Sequence, residues 1–136
     1  MRQKYKVLIV DDEEGIVAAL KNNLALEGYM IDNALNAEDA YLKIKKDKYH
    51  IVLADIEMPE MDGIELLKQI KSYDALTQVI MMTGSSTMDK ILRSLEFGAN
   101  DYILKPFISV DYVIQIIDYS IQKLERWRDS IVQVVK

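Results

Sequence analysis

Five short strand-like runs, most of them apolar and rich in β-branched residues, alternate with five amphipathic segments, and this alternation constrains the fold more than any other feature of the chain. The runs are Tyr5–Val10, Met30–Leu35, His50–Ala54, Thr77–Met82 and a shorter one at Asp101–Leu104. Their near-continuous hydrophobicity suits strands buried on both faces of a parallel sheet, in which right-handed helical crossovers cover the two sides. Between them, apolar residues recur at three- and four-residue spacing. Ile16, Ala19, Leu20, Leu24 and Ala25 predict a helix over about residues 14–27 that stops at Gly28. Asn36 is placed to cap a second helix with Ala37, Ala40, Tyr41 and Ile44 along one face. Ile64, Leu67 and Ile70 mark a third, and Met88, Ile91, Leu92 and Leu95 a fourth, closed by Gly98. Ser109 caps a fifth carrying Val110, Val113, Ile114, Ile117, Ile121 and Leu124.

The spacing of this last helix does not end where the others do. Leu124, Trp127, Ile131 and Val134/Val135 prolong it almost to the end of the sequence. The charge changes there as well: Lys123, Arg126, Arg128 and Lys136 stand against Glu125 and Asp129, in a chain whose net charge is -5. Residues 1–122 therefore read as one domain and 123–136 as a helical extension, serving as a dimerisation helix or a linker. An extension bearing Trp127 and Ile131 exposes an apolar patch unless it finds a partner surface, which favours a homodimer.

At 136 residues the chain is the size of one domain, able to build a core without disulfides or a structural metal. The absence of cysteine excludes thiolate metal sites, Fe–S centres and cysteine nucleophiles, and fits a reducing, cytoplasmic setting. No apolar run is long enough to insert in a membrane, and the acidic balance argues against direct nucleic-acid binding.

In a doubly wound parallel sheet, function gathers outside the carboxyl ends of the strands. Asp11, Asp12, Asp55, Thr83 and Lys105 all fall at strand-to-loop junctions on that edge. Taken singly, each has an ordinary reading: helix caps for Asp11 and Asp12, a turn residue for Asp55, surface residues for Thr83 and Lys105. Together they form an oxygen-rich group suited to a hard divalent ion, Mg²⁺ or Mn²⁺, with a neighbouring ammonium and hydroxyl. Such a group supports attack of an Asp oxygen on phosphorus, and Asp55 is the chosen nucleophile, with Lys105 and Thr83 stabilising charge. Other phosphate chemistry lacks its motifs: there is no GxxxxGK[ST] and no GxGxxG, and the single histidine, His50, stands at the opposite end of its strand from Asp55. No long insertion encloses a small substrate, so a hydrolase or phosphotransferase acting on free molecules is disfavoured.

Val10-Asp11-Asp12-Glu13, the run from Val52 through Asp55 to Met58-Pro59-Glu60-Met61-Asp62-Gly63, Met82-Thr83-Gly84 and Lys105-Pro106-Phe107 closely resemble the receiver domain of two-component response regulators. The match covers about residues 5–122. The resemblance implies a flavodoxin-like, three-layer fold with strand order 2-1-3-4-5, and phosphoryl transfer from a sensor histidine kinase or histidine phosphotransfer domain. It assigns Asp55 as phospho-acceptor. It assigns Asp12, Asp55 and the Glu57 backbone carbonyl as metal ligands, with Asp11 reaching the metal through water. Thr83, Gly84, Lys105 and Pro106 become the phosphate-sensing group, with a cis Lys105–Pro106 bond, and Tyr102 the switching aromatic. Glu57 and Ser85 occupy the positions that tune dephosphorylation, so that the chain promotes its own phosphorylation and dephosphorylation without being a conventional enzyme.

In that family the signalling surface comprises the fourth helix, fifth strand and fifth helix. Here that places Ile91, Leu95, Tyr112 and Tyr119 at an interface, with Trp127 and Ile131 on the extension. Asp111, Gln115 and Asp118 depart from the basic pattern of members that dimerise there through a charge ladder. The alternative function on the same fold is an interaction module that works without phosphorylation.

Overall fold

Residues pointing alternately to the two sides of the central strands build two separate hydrophobic cores. The computed structural model describes residues 4–135 except 59, 85 and 86. Its strands are β1 (Lys6–Val10), β2 (Met30–Ala34), β3 (Ile51–Asp55), β4 (Gln78–Thr83) and β5 (Asp101–Leu104). All pair in parallel, in the order β2-β1-β3-β4-β5. The helices are α1 (Glu14–Leu26), α2 (Ala37–Lys46), α3 (Gly63–Tyr73), α4 (Met88–Glu96) and α5 (Val110–Val135). Val7, Ile9, Ile51, Leu53, Ile80 and Met82 meet α1 and α5 on one face, while Leu8, Val10, Val52, Ala54, Val79 and Met81 meet α2 and α3 on the other.

This is the three-layer, doubly wound sheet implied by the sequence, with local differences. β3 and β4 each end one residue later than the apolar runs suggest. Asp55 and Thr83 are thus the last residues of their strands, because their backbones continue the ladder, opposite Met82 and Leu104. In α1 the buried residues are Val17, Leu20 and Leu24, whereas Ala19 and Ala25 face solvent. The 3.6-residue period carries the buried stripe through Val17, and the small alanines are tolerated outside. The side-chain caps form: Asn36 accepts from the Asp39 N–H at 2.8 Å and Ser109 from the Tyr112 N–H at 3.1 Å.

The fourth helix differs most. Met88, Leu92 and Leu95 lie on its exposed side, Met88 being 72% and Leu92 55% accessible, and the helix's fully buried residue is Ser94. Its apolar face therefore looks away from the core. α5 runs unbroken for 26 residues, about 39 Å at 1.5 Å per residue. Burial on it ends at Ile121, while Ile131, Val134 and Val135 are exposed. Beneath the sheet, Trp127 and Ile131 border a groove of about 290 Å³ whose other wall includes Tyr5, His50 and Leu76. Among the described residues, no helix is long and apolar enough to cross a membrane.

His50 is built into this lower edge. Its Nδ1 accepts the Lys6 N–H at 3.1 Å, and its ring packs edge to face on Tyr5 at 5.3 Å. Burial, reinforced by the charge of Lys48, lowers its pKa from the ordinary 6.5. The folded state thus keeps the neutral ring, and the unfolded chain takes the proton first as pH falls. The stabilising contribution is complete above the unfolded value and is lost below it, toward the lowered folded value. Urea unfolding from about pH 7 to about pH 5.5 should therefore show a steeper loss of stability in the native chain than in His50→Asn, which retains an acceptor but cannot titrate.

Candidate functional site

Because every strand runs the same way, the carboxyl ends of β1, β3, β4 and β5 share one edge, and the side chains at those tips are forced together. Asp11 follows β1 and is fully buried. Its backbone N–H donates to Ala34 O at 3.2 Å, and its Oδ1 accepts the Glu13 N–H at 2.9 Å. Asp55 ends β3, only 5% accessible, and its Oδ1 accepts the Glu57 N–H at 3.2 Å. Asp12 is exposed at the rim. One carboxylate oxygen from each of Asp11, Asp12 and Asp55 lies within 4.8 Å of the other two.

Lys105 enters from the end of β5, its N–H donating to Thr83 O at 2.8 Å. Its Nζ lies 2.6 Å from Asp11 Oδ2, 3.3 Å from Asp55 Oδ2 and 3.5 Å from Glu13 Oε1. The peptide bond that follows it, Lys105–Pro106, is cis. The hydroxyl of Thr83 is buried and has no hydrogen-bond partner among the described residues. An unpaired buried hydroxyl is costly, and an incoming acceptor satisfies it.

Burial raises the pKa of Asp55; Lys105 opposes that effect and the Asp11 charge adds to it. Burial works against the Lys105 ammonium too, yet the bonds and charges of Asp11 and then Asp55 outweigh it, and its pKa is raised. One lysine thus leaves the carboxylates with an excess of negative charge, the condition that a divalent cation relieves. Three close carboxylates, hard oxygen donors, fit Mg²⁺ in kind.

The remaining sequence candidates separate into groups. Gly84 leaves ordinary room beside Lys105, the nearest lysine atom to an added Cβ being 3.7 Å away. Tyr102 is 36% exposed and borders, with Leu104, Pro106, Ile108 and Tyr112, a cavity on the outer side of β5. Tyr112 is half-buried, packed against the α1/α5 core. Leu95, Tyr119 and Ile131 are exposed, whereas Ile91 and Trp127 are half-buried. Ser85 lies outside the described residues, as does Pro59 of the loop motif. Sequence reasoning gave no role to two contacts: Glu13 joins the lysine, and Glu57 is ion-paired with Lys90 of α4. Glu13 stood in the quoted acidic run; Lys90 carried no signal.

The model of the response regulator receiver domain matches residues 7–118. The chain is 40% identical over 103 residues to the alkaline phosphatase synthesis transcriptional regulatory protein PhoP of Bacillus subtilis, covering 75% of this chain and 42% of that one. It is 38% identical over 111 residues to the transcriptional regulatory protein ResD of the same organism, covering 82% and 46%. It thus spans less than half the length of these curated relatives. A CheY-like receiver domain protein from Methanospirillum hungatei superposes with a TM-score of 0.87 at 31% identity, over 90% of this chain and 97% of that one.

Gly63 sets the position of the end of β3. Its N–H donates to Ile56 O at 2.8 Å, and a Cβ there would stand 2.1 Å from Asp55 O and 2.8 Å from Ile56 Cα. Those are backbone atoms, which give way only if the chain around them moves. Gly63→Ala should cost about 1–3 kcal/mol or more in chemical denaturation, because the loop must shift to admit one methyl group.

Proposed function

The chain belongs to the response regulator receiver domain family, and from that premise we propose that Asp55 is the residue that accepts the phosphoryl group and that the strand-tip cluster is its reaction site. Receiver domains take phosphoryl from histidine kinases, and in this chain an Asp55 carboxylate oxygen attacks phosphorus of a phosphohistidine. The O–P bond forms as the N–P bond breaks, and the imidazole leaves with the electron pair. The observation that carries this reading is the Lys105 ammonium between Asp11 and Asp55, on strand tips where the Thr83 hydroxyl has no partner among the described residues. Lys105 is placed to follow charge from the carboxylates onto the phosphoryl oxygens, and Thr83 to donate to one of them.

Receiver domains bind Mg²⁺ at such acidic pockets; here Asp12, Asp55 and the Glu57 carbonyl would hold it, with Asp11 acting through water. When bound, the ion supplies neutralisation of phosphoryl charge. The same residues then let the chain promote both gain and loss of its phosphoryl group, with Glu57 and Ser85 tuning the loss. Movement of Thr83 toward the phosphoryl leaves space for Tyr102 to turn inward, altering the face of α4, β5 and α5. A cytoplasmic location accords with a cysteine-free partner of a kinase, and the acidic chain is not assigned nucleic-acid binding of its own.

We further propose that 1–122 is the receiver and 123–136 a dimerisation helix. Along α5, Val113, Ile117, Ser120, Leu124, Trp127, Ile131 and Val134 recur in alternating four- and three-residue steps, a heptad seam. The first three are buried, Val113 and Ile117 in the core against the sheet; Ile131 and Val134 are exposed and available to the same seam of a second copy.

Acetyl phosphate with Mg²⁺ should label the native chain, and Asp55→Asn should abolish the label in intact-mass spectra. An unlabelled native chain, or a variant labelled equally, sinks the assignment. In sedimentation, the full chain should dimerise with rising concentration and Ile131→Glu should remain monomeric; a monomeric native chain ends the dimer proposal.

A further inference from the structure

α4 is held at its two ends by different means. At its carboxyl end, Phe97 packs against the α2/α3 core beneath the Lys68 ammonium, 4.1 Å from the ring centroid. Along its length the buried residue is Ser94, whose hydroxyl donates back to Lys90 O at 2.9 Å, within the helix itself. At its amino end, Thr87 caps the Lys90 N–H, and the Lys90 ammonium pairs with the Glu57 carboxylate. Between that end and the loop after β3 lies a groove of about 440 Å³ bordered by Met58, Ile64 and Arg93. The amino end of α4 is therefore set off from the loop and joined to it by a charge pair across the gap.

The geometry points to the Glu57–Lys90 pair as a clasp that holds α4 in its unphosphorylated position and is loosened when Asp55 is phosphorylated. The inference rests on Asp55 as acceptor. Glu57 stands two residues beyond it, with its backbone N–H on Asp55 Oδ1. Phosphorylation replaces the single carboxylate charge of Asp55 with about two on the phosphoryl oxygens, and this net gain of about one negative charge repels the Glu57 carboxylate. The pair is thus stronger before phosphorylation than after it, which is the differential contact a switch requires. Lys90 is a positioning residue: it touches no reacting atom in this account and acts through Glu57 and α4.

Linkage fixes the sign of the test. Removing an interaction that is stronger in the resting state favours the phosphorylated state, so Lys90→Met should bind beryllofluoride with Mg²⁺ more tightly than the native chain. For a partly exposed pair the gain should be about 1.5- to 5-fold, read by fluorine NMR titration. Lys90→Arg should restore native affinity, and the gain from Lys90→Met should vanish in a Glu57→Gln background. Unchanged binding in Lys90→Met, weaker binding, as for a lysine that attracts the mimic directly, or an equal gain in both backgrounds overturns the clasp. A native chain that does not bind the mimic removes the acceptor reading, and the clasp with it. Native binding without a gain in Lys90→Met removes the clasp alone.

Discussion

Asp11 and Asp55 are two buried carboxylates at one end of a parallel sheet, and the Lys105 ammonium, 2.6 Å from one and 3.3 Å from the other, allows them to coexist. Without it the low-dielectric strand tips would favour protonation of one acid. With it the compensation is incomplete, since burial still raises the pKa of Asp55. A structural ion pair of matched charge would close this account; here a carboxylate excess and a solitary buried hydroxyl remain. The proposed phosphoryl chemistry uses both: the excess suits a cation, and the hydroxyl suits the oxygens that the cation brings.

Topology makes this arrangement inexpensive. Residues separated by 94 positions, Asp11 and Lys105, meet without any long loop because each is one step past the end of its strand. The Lys105 N–H to Thr83 O bond continues the β4–β5 ladder past the last residue of β5 and aims the lysine across the strand tips. On the β3 side, Gly63 lets the start of α3 lie against Asp55 O, a separation that no side chain could share. The rigid part of the site is thus made of ladder and close backbone contact. Beside it, α4 has little buried surface and a charged link to the loop after β3.

What could be read from sequence followed how local the determining physics was. The strand-like runs marked each strand to within a residue, with acids closing the first and third, and the parallel order placed Asp11, Asp55, Thr83 and Lys105 on one edge. Local patterning failed where tertiary contact decides. The stripe of Met88, Leu92 and Leu95 has proper helical spacing, yet periodicity cannot say whether such a face turns inward, and here it is exposed. Ala19 and Ala25 fit the helical period of α1 but lie outside it, and Val17 packs instead. The Glu57–Lys90 pair spans 33 positions between charged residues that look like ordinary surface, so no spacing rule announces it.

The same limit and the same strength meet in α5. One heptad seam serves two kinds of packing along a single helix: Val113 and Ile117 are fully buried on the sheet, and Ile131 and Val134 lie past the last buried residue, Ile121. Periodicity alone runs through residue 122 without a break, because a helix presents the same stripe whatever lies opposite it. The change is one of company, marked in sequence only by Trp127 and the basic residues around it. A helix continuous across that point is mechanically suited to carry a shift from the sheet to whatever the extension grips, since displacement at one end of a rigid rod reaches the other without a hinge to absorb it.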